Sequence, residues 1–271
     1  MLIAQITDLH VGRVIETTSG PIDLLDRLVD AVNEINHSEN LPTIVMVTGD
    51  ISNHGHPDDY LRAKKVLDTL TMPYYIVPGN HDHRQQLRKI FAEHQYLQTN
   101  SPFLNYTLEQ YSMRIIALDS LNPGTHTGLL CDERLKWVDE QLAQQPEIPA
   151  LVFLHHPPNK IGSPYVDRMM CTNGETLGKI IEQHPQVKGV ACGHVHRDVV
   201  ISWHRTVLFI TGSSAFSYDL MLKDVDDLDP VFEPSVYRLF NWQEETGLIS
   251  HLCFIGHHPR GLSEGVPLPP S

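Results

Sequence analysis

Five short clusters hold the side chains of this 271-residue chain that could do chemistry together. They are Asp8 and His10 in TDLH, Asp50 in GD, Asn80, His81 and Asp82 in GNHD, His155 and His156 in HHPP, and His194 and His196 in GHVH. All are oxygen or imidazole donors. Asp8, His10, Asp50, Asn80, His155, His194 and His196 make seven candidate metal ligands. Two divalent ions sharing one bridging carboxylate need roughly that number, with positions left open for water and substrate. Mixed nitrogen and oxygen ligation suits Mn, Fe, Zn or Co without separating them, and the lack of thiolates disfavours a structural zinc site.

In extended backbone, residues i and i+2 face the same side, so the D-x-H and H-x-H pairs are each expected to grip one ion. Gly or Pro frames every cluster and lets the chain turn sharply beside the ligand. Singly, these pieces mean little. With 17 histidines in the chain, a D-x-H arises by chance about once. Turn composition does not, however, produce five such clusters that all fall at strand ends.

Those strands are short apolar runs: LIAQIT (2–7), TIVMVT (43–48), YYIV (74–77), ALVFLH (150–155) and VKGVAC (187–192). Helical spacing predicts helices over 21–36, with Pro21 in the first turn, and over 132–144. Shorter helices are expected near 57–70, 84–92 and 173–184. RIIAL (114–118), VVISW, TVLFIT, VYRLFNW and LISHLCFI read as further strands, and the tail GHHPRGLSEGVPLPPS as irregular. Alternating strands and helices, then antiparallel strands, point to a layered α/β protein with mixed sheets. In such folds ligands gather at the carboxyl ends of strands.

Composition narrows the function. At 41% hydrophobic, the chain can bury a full core as one large domain. Its net charge of −13, from 20 basic and 33 acidic side chains, argues against partners among nucleic acids or membrane surfaces. Phosphate chemistry here would need a local source of positive charge. The four cysteines, Cys131, Cys171, Cys192 and Cys253, are dispersed and fit neither a disulfide framework nor a zinc knuckle. The chain enters its first strand without a targeting segment, and no stretch has membrane-span length, so a cytoplasmic location is expected.

In this order, D-x-H, G-D, G-N-H-D, the first histidine of H-H-P-P and G-H-x-H resemble the motif set of the calcineurin-like metallophosphoesterase superfamily. GDISNHGHPDDY, with its G-x-P-x-x-Y continuation, and HHPP followed by a Cys-containing loop are similar to the class III cyclic-nucleotide phosphodiesterases. The bacterial glycerophosphodiesterase branch is nearest. The resemblance is strong over residues 2–212 and weaker beyond. It implies a four-layer αββα sandwich of two mixed sheets, and a C-terminal cap that helps form oligomers. It makes residues 1–212 the catalytic core, with the β-rich stretch 213–271 in the same domain. It assigns Asp8, His10 and His196 to one metal and Asn80, His155 and His194 to the other, with Asp50 bridging and His156 outside the ligand set.

Two divalent ions would outweigh Asp8, Asp50 and a bridging hydroxide, leaving a positive site in an acidic protein. They would also acidify bound water for in-line attack on a small phosphodiester, a cyclic nucleotide or a glycerophosphodiester. His81 is the candidate acid for the leaving alkoxide. Asp82 either orients it or caps a turn, and His54 either grips a phosphate oxygen or is solvated. A phosphomonoesterase and a non-catalytic scaffold of the same fold are the alternatives. The scaffold reading would call for lost ligands, and a phosphoprotein phosphatase for an arginine after Asp50. No arginine lies between Ile51 and Tyr60. Arg84 and Arg197 are expected to point along the elements that follow them, so diesters should be favoured over dianionic monoesters. The stretch from Phe216 to Tyr237, with Leu220, Leu222, Val225, Val231 and Phe232 among acids, is expected to contribute to a homo-oligomer.

Overall fold

The computed structural model describes residues 1–256, His258 and Pro259; the rest of the Pro/Gly-rich tail lies outside the described residues. In chain order the elements are β1 (Leu2–Ile6), β2 (Val14–Thr17), β3 (Gly20–Asp23), α1 (Leu24–His37), β4 (Ile44–Thr48), α2 (Pro57–Leu67), β5 (Tyr74–Val77) and α3 (Arg84–Ile90). There follow β6 (Tyr106–Leu108), β7 (Arg114–Leu118), α4 (Asp132–Gln144), β8 (Ala150–Leu154), α5 (Pro164–Asp167), α6 (Gly174–Glu182) and β9 (Val187–Cys192). The chain closes with β10 (Val199–Trp203), β11 (Thr206–Ile210), β12 (Ser217–Tyr218), β13 (Pro230–Val231), β14 (Val236–Gln243) and β15 (Gly247–Phe254).

Two mixed sheets form the centre, one ordered β15-β14-β1-β4-β5 and the other β10-β11-β9-β8-β7-β6. The runs in β4, β7 and β8 are apolar at almost every position because both faces are covered, and every residue of each is buried. One face of the first sheet packs under α1–α3, through residues such as Ile6, Leu28, Val47, Tyr60 and Leu87. One face of the second packs under α4 and α6, through Ile116, Leu135, Val152, Leu177 and Val190. Between the sheets lies a third core in which Phe240 meets Phe153 and Phe209 edge-on, with ring centroids at 5.9 and 5.3 Å. This is the αββα layering expected from the resemblance.

The first expected helix starts late. Gly20–Asp23 pairs antiparallel with Val14–Thr17, which puts Pro21 in an isolated two-stranded ribbon, where its missing N–H costs nothing. Asp23 then caps α1 by accepting from the Leu25 N–H at 3.0 Å, a role proline cannot fill. The terminal strands β14 and β15 belong to the first sheet, where β14 pairs with β1 and β15 forms the edge. The acidic stretch after β12 carries the exposed Leu220 and Leu222. It is tied back to the core region by Arg168, which donates to Asp224 and to the Val225 carbonyl.

Candidate metal centre

The parallel strands β1, β4, β5, β8 and β9 all end at one edge of the two sheets, and the five polar clusters follow them. Two glycines show why the turns need them. A Cβ on Gly79 would fall on the Asp50 carboxylate, and one on Gly49, at φ +96°, would strike the His155 ring. Only bare backbone lets the GD and GNHD loops interlock.

The D-x-H and H-x-H pairs are not extended, contrary to the sequence expectation. Asp8, His10, Asp50, His194 and His196 all have positive φ, from 46 to 73°. Among the described non-glycine residues, only His204 and Arg205, in the β10–β11 turn, share that conformation. Left-handed backbone is uncommon outside glycine, though Asp and His adopt it more readily than most, and five such residues converge at this one site. The strands have ended by then, and each ligand candidate is turned inward one at a time. His194 and His196 consequently part company. His196 joins Asp8 and His10, whereas His194 joins His155 and His156, with donor atoms in each trio within 4.8 Å of one another.

Hydrogen bonds fix which ring nitrogen faces inward. His196 Nδ1 donates to the Phe216 carbonyl (2.9 Å), His155 Nδ1 to the Thr48 carbonyl (2.7 Å) and His194 Nε2 to the Met169 carbonyl (3.0 Å). His10 Nδ1 lies 3.0 Å from Asn53 Oδ1. Each remaining nitrogen faces inward, where it can offer a lone pair to an ion. His10 Nε2 and His196 Nε2 stand 3.1 Å apart, and His196 Nε2 is 3.4 Å from Asp8 Oδ1. His155 Nε2 is 3.4 Å from Asp50 Oδ2 and 3.2 Å from Asn80 Oδ1. Such a convergence of acceptors is repulsive unless a cation sits among them. Imidazoles with outer N–H groups held by carbonyls are the arrangement metal ligation requires.

Charge follows the same pattern. Burial keeps His10 and His196 below the usual histidine range and His194 down at about 3, so these rings stay neutral. His155 is the exception: burial opposes its charge, but the Asp50 carboxylate prevails and pushes it up to about 9. For Asp50, burial is likewise outweighed, and His155 holds it well below the carboxylate range. A proton on His155 thus occupies the place of positive charge, and an incoming ion would displace it.

Asp82 neither caps a helix nor bonds to His81. It is buried and accepts from the N–H groups of Gly79 (2.9 Å), Ile51 (3.1 Å) and Ser52 (3.3 Å) and from the Tyr60 hydroxyl (3.1 Å). Tyr60 in turn accepts from the His83 N–H at 2.7 Å. The tyrosine of the G-x-P-x-x-Y run therefore locks the GD loop to the GNHD loop. Tyr60→Phe is expected to strand the His83 N–H and remove one of the four donors to Asp82, at a cost of about 1–3 kcal/mol, lowering Tm by roughly 2–8 °C in a thermal melt. An unchanged melt would show that the lock carries no stability.

The donors open onto a cavity of about 250 Å³ lined by His10, Asp50, Asn80, His81, His194 and His196. His81 Nδ1 lies 2.7 Å from the Asn53 carbonyl, and its backbone N–H donates to Asp50 Oδ1 at 2.8 Å. His54 is exposed against the Asn53 side chain and does not line the cavity. His156 is buried behind His155 and His194, with Nδ1 2.8 Å from Ser120 Oγ. Arg84 is engaged by Asp119 and Arg197 by Glu233, so neither arginine is free to face the cavity. Of the lining residues that sequence reading missed, two carry side-chain nitrogens, His126 and Arg13. His126, whose Nδ1 is 3.2 Å from Asn80 Nδ2, lies in a loop with no cluster to mark it. Arg13 stands five residues past Asp8, where the loop turns back to the mouth.

The model of the calcineurin-like phosphoesterase family matches residues 1–198. The chain belongs to that family. It is 33% identical over 257 residues to a protein of Arcobacter nitrofigilis named a probable glycerophosphodiester phosphodiesterase GpdQ, covering 94% of each chain. It is 30% identical to a Nostoc protein named a 3′,5′-cyclic-nucleotide phosphodiesterase, covering 72% of this chain and 71% of that one. Among solved structures, a dimetal phosphatase from Danio rerio superposes with a TM-score of 0.64 at 15% identity, over 94% of this chain and 99% of the other, a likeness of fold. Among the described residues, no helix is long and apolar enough to cross a membrane.

Proposed function

We propose that this chain is a two-metal phosphodiesterase acting on small diesters, cyclic nucleotides or glycerophosphodiesters. One observation supports this above the others: four imidazoles anchored by their outer nitrogens turn their inner nitrogens into the cluster that holds Asp8 and Asp50, at the mouth of a small cavity. Asp8, His10 and His196 would hold one ion, Asn80, His155 and His194 the other, and Asp50 both. The ions, Mn, Fe, Zn or Co, would supply charge against the phosphoryl oxygens and acidify the attacking water.

The protein's own part is orientation and proton handling. The Thr48, Phe216 and Met169 carbonyls hold the histidine rings in one tautomer, so no reorganisation is needed when substrate arrives. His81 commits Nδ1–H to the Asn53 carbonyl, which leaves Nε2 to carry the proton given to the departing alkoxide. The relatives' names favour diesters. The test is a panel of 3′,5′-cyclic nucleotides and glycerophosphodiesters at matched concentrations with metal-reconstituted protein. Hydrolysis that a chelator abolishes is expected for at least one class. No diester turnover, or turnover that survives chelation, would overturn the reading.

The catalytic core is placed over residues 1–212, with the C-terminal stretch in the same domain, and the protein acts in the cytoplasm. The segment from Phe216 to Tyr237 is read as a cap joining copies of the chain, because Leu220 and Leu222 are exposed on it. Sedimentation at micromolar concentration should show an oligomer that Leu220→Asp with Leu222→Asp dissociates. A clean wild-type monomer would reject this.

A further inference from the structure

We propose that Arg13 grips the phosphoryl oxygens of the bound ester, a substrate contact whose contribution grows with the negative charge on the phosphate. The inference rests on the two-metal reading and goes beyond it to a residue outside the five clusters. Arg13 lines the cavity together with His10, His81, His196 and Tyr218. Its guanidinium carbon lies 4.9 Å from the centroid of the Phe216 ring, and that ring packs at 4.3 Å from His196. Its backbone is fixed on both sides: its N–H donates to the His10 carbonyl (3.2 Å), and its carbonyl accepts from the Leu24 N–H (3.1 Å). Burial pushes the Tyr218 phenol up, and the adjoining Arg13 charge opposes that shift, so the guanidinium and the hydroxyl share one wall.

What is missing is a countercharge. Arg84 has Asp119 and Arg197 has Glu233, but among the described residues no carboxylate pairs with Arg13. A guanidinium cannot escape by losing its proton. Beside a centre built for two divalent ions, a half-buried and unpaired cation adds repulsion that stacking on Phe216 offsets only in part. An anion bound in the cavity removes the conflict, and the planar fork fits two oxygens of one phosphoryl group. A dianion should draw on it more than a diester monoanion does.

The test titrates inorganic phosphate into metal-loaded wild type, Arg13→Met and Arg13→Lys by calorimetry, with metal content and Tm measured on each. Arg13→Met keeps the apolar stem against Phe216 and should bind phosphate about 10- to 100-fold more weakly. Arg13→Lys should recover only part of that loss, because an ammonium lacks the fork. In turnover, Arg13→Met should lose more kcat/KM on p-nitrophenyl phosphate than on bis(p-nitrophenyl) phosphate. If the wild type holds two metals and cleaves diesters, while Arg13→Met binds phosphate as tightly or loses metal instead, the Arg13 proposal alone is overturned. If the wild type takes up no metal, the two-metal reading fails and this proposal fails with it.

Discussion

Asp50→Ala is expected to empty both metal positions and to lower kcat/KM by about a thousandfold or more. The size of the effect follows from where the carboxylate sits. Its Oδ2 lies 3.4 Å from His155 Nε2 and 3.7 Å from His10 Nε2, so it touches the donor groups assigned to both ions. Its Oδ1 accepts from the His81 N–H at 2.8 Å, which ties the same side chain to the proposed acid. Removing it takes away one of the two carboxylates among the proposed ligands and leaves His155 without the partner that holds it charged in the metal-free protein. Asp50→Asn keeps the shape and the bond to His81 but not the charge. If charge is what joins the sites, Asn should fail nearly as badly as Ala. Metal analysis after dialysis decides the matter. One ion bound as tightly as in the wild type after Asp50→Ala would rule out the bridge.

The strand ends were legible because both signals involved are local. A buried strand must be an apolar run, and a ligand loop must break it with Gly or Pro, so TGD, PGNHD and CGHVH announce themselves in the sequence. The geometry of the loops was not legible. Alternation places i and i+2 on one side only while the chain stays extended, and Asp8, His10, His194 and His196 lie just past that limit, in left-handed backbone. The division of His194 from His196 is a consequence of tertiary packing that no spacing rule contains. Asp82 illustrates a related failure. Its four donors come from Gly79, Ile51, Ser52 and Tyr60, up to 31 positions away from it in the sequence, and a carboxylate in a turn gives no hint that it fastens two loops.

Arg13 changes one argument more than any other residue. The expectation of diester preference rests partly on the absence of an arginine between Ile51 and Tyr60, but Arg13 also lines the cavity. The guanidinium arrives from the loop after β1 instead, because that loop folds back over the cavity before the β2–β3 ribbon begins. With Arg13 at the cavity, a preference for diesters rests on leaving-group chemistry and not on any shortage of positive charge.

That chemistry makes the second large prediction. His81→Ala is expected to slow diesters with alkoxide leaving groups by about 10²- to 10⁴-fold, the usual contribution of a positioned acid. Bis(p-nitrophenyl) phosphate should lose far less, because nitrophenolate departs without a proton. The geometry gives the reason for the asymmetry. A carbonyl oxygen can only accept, so the 2.7 Å contact to the Asn53 carbonyl fixes the hydrogen on His81 Nδ1 and frees Nε2 for transfer. The ring also lies edge-on to His10 at 4.8 Å and within 5.5 Å of the His126 ring, so its orientation is set by packing on two sides. The wild type should also show higher kcat/KM on bis(p-nitrophenyl) phosphate than on p-nitrophenyl phosphate; both release nitrophenolate, so this comparison checks the diesterase assignment independently of the acid. Equal losses on activated and unactivated diesters in His81→Ala would remove His81 as the proton donor. A wild-type preference for the monoester would overturn the diesterase assignment itself, and Arg13 would then be the residue to blame.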